Sequence, residues 1–174
     1  MGPGHLGIGL ALKPVASKVP LWALLVATEV LDLLSFGFMA LGIEKLGISQ
    51  TSLQQGIVMV EPGVIHWSHG LVMALVWAFV ASWVVFFIIR DLRSSVLVAL
   101  AVFSHWMLDF IVHLPDLPLA FASSRQVGLG LWGSGPGLII SGILELVLLG
   151  GGLTIYLVYH RKQKTAQVGH ALVE

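Results

Sequence analysis

Four long apolar runs carry this chain, and each is interrupted by single polar residues rather than by regular alternation. They extend from Val19 to about Ile43, from His66 to Ile89, from Ser95 to Leu114 and from Pro136 to about Tyr159. At ~1.5 Å per residue each is long enough, as a helix, to cross a ~30 Å hydrocarbon core. Pro20 opens the first run, with Trp22 as an interfacial anchor, while Pro115 and Pro118 end the third because proline lacks the N–H a helix needs. A shorter run over residues 4–12 closes at Lys13-Pro14. It is too short to span, so it predicts either a half-crossing helix or an interfacial one; measured inward from Lys13, His5 would lie ~12 Å deep. The stretch 44–63 reads as a polar loop that could cap the mouth of a site, the glycine-rich stretch 115–136 as a bent connection, and residues from His160 onward as a polar tail. The expected fold class is therefore all-α: a polytopic membrane helical bundle of four transmembrane helices plus a short amino-terminal helix. Residues 1–160 form one membrane domain and 161–174 a cytoplasmic tail.

Composition sharpens this picture by exclusion. A chain of 174 residues that is 57% hydrophobic and 10% charged, with mean hydropathy +0.94, does not make a soluble domain. Nine Lys+Arg balance nine Asp+Glu, so no basic face predicts nucleic acid as a partner. The absence of cysteine removes disulfides and thiolate ligands, leaving His and carboxylates as the strong donors. The amino end lacks the charged and small-residue blocks of a cleaved signal, so the apolar runs are expected to be retained. Lys13, Lys18, Arg90, Arg93, Arg161, Lys162 and Lys164 flank alternate connections, whereas the others hold only Lys45 and Arg125. The positive-inside rule then expects both termini in the cytoplasm.

The chemistry lies in the polar residues that interrupt the runs. His105, Asp109 and His113 follow one another at intervals of four and make a polar stripe on one helix face. Glu29 and Asp32 share a face of the first span, at a depth where an ionised carboxylate costs ~3 kcal/mol. His66 and His69 open the second span, and Glu145 lies in the outer half of the fourth. Structural hydrogen bonds between helices are the plain alternative for all of them. Yet a bundle of four spans has little interior, and groups too costly to show to lipid must meet there. Histidines with carboxylates form a donor set suited to Zn²⁺, or with more oxygen to Mn²⁺ or Fe²⁺, and numerous enough for one or two ions.

The succession His5-Leu-Gly-Ile-Gly, Ala27-Thr-Glu-Val-Leu-Asp32, Trp67-Ser-His69-Gly and Ser104-His105-Trp-Met-Leu-Asp109 resembles the membrane-bound metal-dependent hydrolases of the YdjM-like bacterial inner-membrane group. The resemblance covers nearly the whole membrane core. It implies His5, Glu29, Asp32, His69, His105 and Asp109 as metal-site residues, an inner-membrane location, and, through a more distant similarity to zinc-dependent phospholipases C, a lipid or phosphoester substrate. The chain departs from the family pattern at Glu29, where an aspartate preceded by proline is usual, and at Ser-His-Gly, where Thr-His-Ser is usual. His66, His113 and Glu145 are additional candidates on spacing and depth alone. The function expected is hydrolysis at the outer leaflet, with Glu29 positioning or deprotonating water. An ion- or proton-coupled permease and a metal-stapled structural protein are the competing expectations.

Overall fold

The computed structural model describes residues 2–45, 65–121 and 124–171. It is an all-α bundle, with α1 over Gly4–Leu12, α2 over Leu21–Ala40, α3 over His66–His69, α4 over Leu71–Ile89, α5 over Leu92–Val112 and α6 over Gly135–Ala171. Among the described residues four helices, α2, α4, α5 and α6, are long and apolar enough to cross a membrane. Their outer faces agree with that assignment. Phe79 is 68% exposed and Ile88 75%, and Trp83, Ile139, Ile143 and Leu146 are also exposed. So much contiguous apolar surface suits a bilayer, not water.

Local chemistry fixes the turns. Pro20 caps α2 in an extended conformation, and Asp91 caps α5 by accepting from the Ser94 N–H at 2.9 Å and the Ser94 hydroxyl at 2.6 Å. Arg90 ends α4 in the left-handed region, so only Arg90 and Asp91 join α4 to α5 and the two pack as a tight antiparallel pair. The Lys18 ammonium lies 2.6 Å from Asp91 Oδ1, which ties the α1–α2 turn to the α4–α5 turn at one end of the bundle.

The short helix α1 packs between α2, α5 and α6. Glycine permits the close approach: a Cβ at Gly7 would run into the Leu148 carbonyl, and one at Gly152 into the Gly7 carbonyl. Of the glycines at 150–152, then, Gly152 makes the helix contact, whereas Gly150 and Gly151 face open space. Gly2 N–H donates to Glu145 Oε1 at 3.0 Å, and Pro14 lies beside Val158 and Tyr159, so α1 runs parallel to α6 over half its membrane length. α1 thus lies alongside the first half of α6, with Gly2 level with Glu145.

Several boundaries differ from expectation. The second run is two helices, broken at Gly70, where a side chain would strike the carbonyls of His66 and Ala120. The third helix starts three residues earlier and stops at Val112, so His113 is an extended C-cap rather than part of the stripe. The 115–136 connection contains a short antiparallel ladder, Leu117–Pro118 with Gln126–Val127, and a 3-10 turn at Leu131–Gly133. The polar end is helical as well, because α6 continues to Ala171 through residues of high helix propensity. Of the expected 44–63 loop, residues 46–63 lie outside the described residues, and its capping role with them.

Candidate metal centre

The apolar cluster around Leu24, Leu31, Ala74, Val98 and Val102 packs α2, α4 and α5 together. Beyond it, towards the end of the bundle that holds α3, helices α2, α3 and α5 turn their polar residues on one another. His105 and Asp109 meet as the i,i+4 spacing requires, with His105 Nε2 3.3 Å from Asp109 Oδ2. Asp32 of α2 brings Oδ1 to 3.5 Å from His105 Nε2 and 3.1 Å from His69 Nε2. His69 Nε2 is in turn 3.6 Å from Asp109 Oδ2. The four atoms close a ring that alternates nitrogen and oxygen. Donors bound at ~2.0–2.1 Å to one ion stand roughly 2.9–3.4 Å apart for angles between 90° and tetrahedral; two sides of this ring, 3.1 and 3.3 Å, fall in that range, and the other two, 3.5 and 3.6 Å, lie just beyond it.

A second group adjoins the ring. His5 Nε2 lies 3.6 Å from Asp109 Oδ1, and the His5 and His105 rings stack at 3.9 Å with 10° between their planes. One ligand atom each from His5, Glu29 and His105 lies within 4.8 Å of the others, as is also true of Asp32, His69 and His105. Asp109 thus presents one oxygen to each group. His5, His105 and Asp109 are buried, while the Asp32 side chain is 37% exposed, so the ring opens on the Asp32 side.

The outward nitrogens decide what faces inward. His105 Nδ1 donates to the Thr28 carbonyl at 2.7 Å, and His5 Nδ1 to the Gly2 carbonyl at 3.2 Å. A carbonyl can only accept, so each Nδ1 carries the proton, and in the neutral ring each Nε2 is a lone pair. These lone pairs face carboxylate oxygens. His5 Nε2, His105 Nε2 and Glu29 Oε1 are buried with no hydrogen-bond partner. Acceptors aimed at acceptors in a buried site call for a positive charge between them.

All six residues expected as metal ligands, His5, Glu29, Asp32, His69, His105 and Asp109, thus gather in one place. The three additional candidates do not join them. His113 Nδ1 pairs with Asp116 Oδ1 at 3.0 Å and its ring lies against Trp132. His66 packs its ring beside Trp67, and Glu145 anchors Gly2. The residue that spacing did not single out is Glu44, read as the start of a loop and found buried at 2% exposure behind His69. The Trp106 indole N–H donates to the His69 carbonyl at 2.9 Å and fixes the short helix that carries His69.

Comparison with protein-family models, with curated proteins and with solved structures finds no match for this chain.

Proposed function

We propose that the chain is a metal-dependent hydrolase of the cell membrane, holding a divalent ion, most simply Zn²⁺ with Mn²⁺ or Fe²⁺ as alternatives, among His69, His105, Asp32 and Asp109. A second ion position is bounded by His5, Glu29 and Asp109. The observation that carries the proposal is the inward lone pair of His105, fixed by its bond to Thr28 and flanked by two carboxylates. A bound proton could also neutralise that arrangement and would favour the proton-coupled transporter. A proton can serve only one of the two stacked rings, since imidazoliums 3.9 Å apart would repel each other, whereas two ion positions give each ring a partner. The opening beside Asp32 favours a working site over a closed structural one.

When bound, the ion supplies Lewis acidity and a water acidified to a pKa of about 7. Glu29, with Oε1 buried and unpaired, takes the proton as water attacks the phosphorus or acyl carbon and delivers it to the departing oxygen as that bond breaks. The surrounding apolar helices direct the site towards a lipid or phosphoester substrate. With the Lys13, Lys18, Arg90 and Arg93 end in the cytoplasm, as in a bacterial inner membrane, the ring lies in the outer half of the bilayer. The carboxyl end of α6 is then cytoplasmic.

The test is hydrolysis of phosphodiester and lipid-ester substrates by purified protein in lipid nanodiscs, with and without chelator. Wild type should lose activity with chelator and regain it with Zn²⁺ or Mn²⁺, and Glu29→Gln should keep the ion held by His69, His105, Asp32 and Asp109 while losing turnover. Proton flux through liposomes that survives chelation, without any hydrolysis, would establish the transporter instead.

A further inference from the structure

Behind His69 lies a second polar chain that the ring does not use. Glu44 is buried, and both its oxygens accept: Oε1 from the Ser68 N–H at 2.9 Å, and Oε2 from the Ser68 hydroxyl at 2.8 Å and the Ser35 hydroxyl at 3.1 Å. The Ser68 oxygen is also 2.8 Å from His69 Nδ1. A hydroxyl has one proton. If that proton goes to Glu44, Ser68 can only accept from His69, which places the imidazole proton on Nδ1 and turns the Nε2 lone pair towards Asp32 and Asp109.

We propose that Glu44, acting through Ser68, is a positioning residue that sets the His69 tautomer and so makes His69 a metal ligand. The inference rests on the metal-centre reading for its purpose but on the hydrogen bonds alone for its mechanism. His105 and His5 get the same result from backbone carbonyls, which can only accept. His69 has a serine there instead, a group able to donate or accept, and the buried carboxylate beyond it, at 2.8 Å against 3.4 Å for the Ile65 carbonyl, is the nearer and charged acceptor that decides which. Without Glu44 the Ser68 proton is free to turn to Nδ1. His69 would then carry its proton on Nε2 and donate it to Asp32 Oδ1, 3.1 Å away, closing the ring against an ion.

The experiment has two independent arms on the full chain in detergent. In the first, ¹⁵N-histidine NMR reports whether His69 Nδ1 is protonated: it should be in wild type and in Ser68→Thr, and should not be in Glu44→Leu, which removes the carboxylate that accepts the Ser68 proton. In the second, Zn²⁺ affinity by chelator competition should fall ~10–100-fold in Glu44→Leu and in Ser68→Ala, the usual effect of losing an outer partner, and be retained in Ser68→Thr. The double variant should lose no more than either single one, since both act on one proton. An unprotonated Nδ1 in wild type, or a protonated one in Glu44→Leu, overturns the proposal, as does wild-type Zn²⁺ affinity in Glu44→Leu. If wild type binds no Zn²⁺ while the proton still moves in Glu44→Leu, the positioning role stands and the metal reading falls.

Discussion

Asp109→Asn separates a metal centre from a network of ion pairs, because only the metal centre predicts an effect that depends on a chelator. Asp109 touches three histidines, with Oδ1 towards His5 and Oδ2 towards His69 and His105. Asparagine keeps the shape but removes the charge and one donor oxygen. If this weakens the ion about 100-fold, a protein held at 100 times the wild-type Kd drops from about 2.7 kcal/mol of binding stabilisation to about 0.4 kcal/mol. The difference, about 2.3 kcal/mol, corresponds to a melting point lower by about 5–9 °C for a chain of this size. With chelator present the sign changes. The substituted amide then removes a buried negative charge and offers an N–H to the Nε2 lone pair of His105 at 3.3 Å or of His69 at 3.6 Å, so the variant should melt at or above wild type. The assay is thermal unfolding of both proteins with excess Zn²⁺ and with excess chelator. An ion-pair network predicts a loss of roughly 3–5 kcal/mol in both conditions, since a protonated histidine would lose its buried partner. Equal destabilisation with and without chelator would refute the metal argument.

Gly7→Leu should separate α1 from α6, because the new side chain meets the Leu148 backbone rather than a movable side chain. Overpacking of this kind costs about 1–3 kcal/mol, and the variant should lose the His5 contribution to metal binding, read as weaker Zn²⁺ retention. Asp91 responds to pH. The Lys18 ammonium, then the Ser94 hydroxyl and N–H, hold its carboxyl well below the usual range in the folded chain. Its stabilising contribution is therefore complete above the unfolded pKa of about 3.9 and disappears as pH falls through the lower folded value. The melting-point gap between wild type and Asp91→Asn should be present at pH 6 and narrow below about pH 4, and a gap that widens on acidification would reverse the sign. Single cysteines at Arg125 and Lys164 in this cysteine-free chain should label from opposite sides of intact cells, Arg125 from outside.

The membrane helices were legible because each is an apolar run of spanning length, and His105 with Asp109 because a four-residue interval survives any shift in helix ends. His5 enters through the family resemblance, and the close contact of Gly7 with α6 brings the His5 ring to Asp109. His113 continues the same interval but leaves the stripe, since the chain turns extended there ahead of Pro115. Glu44 could not be read from spacing: its partners Ser35 and Ser68 are nine and twenty-four residues away, and only the folded chain brings both hydroxyls to one carboxylate. The polar end past Tyr159 reads as a tail on charge alone, yet α6 continues through it. Gly70 shows a similar limit, since the two carbonyls that exclude a side chain there belong to different elements.

The central claim is that divalent metal sits among His69, His105, Asp32 and Asp109, and elemental analysis of the protein bears on it most directly. The chain should be purified gently in detergent without chelator, and its Zn, Mn and Fe content measured per mole of protein beside a His105→Ala, Asp109→Asn double variant. About one ion per chain in wild type, or two if the His5 and Glu29 position fills, falling below a tenth in the variant, is the result expected. Wild type that carries no more metal than the variant would contradict the account.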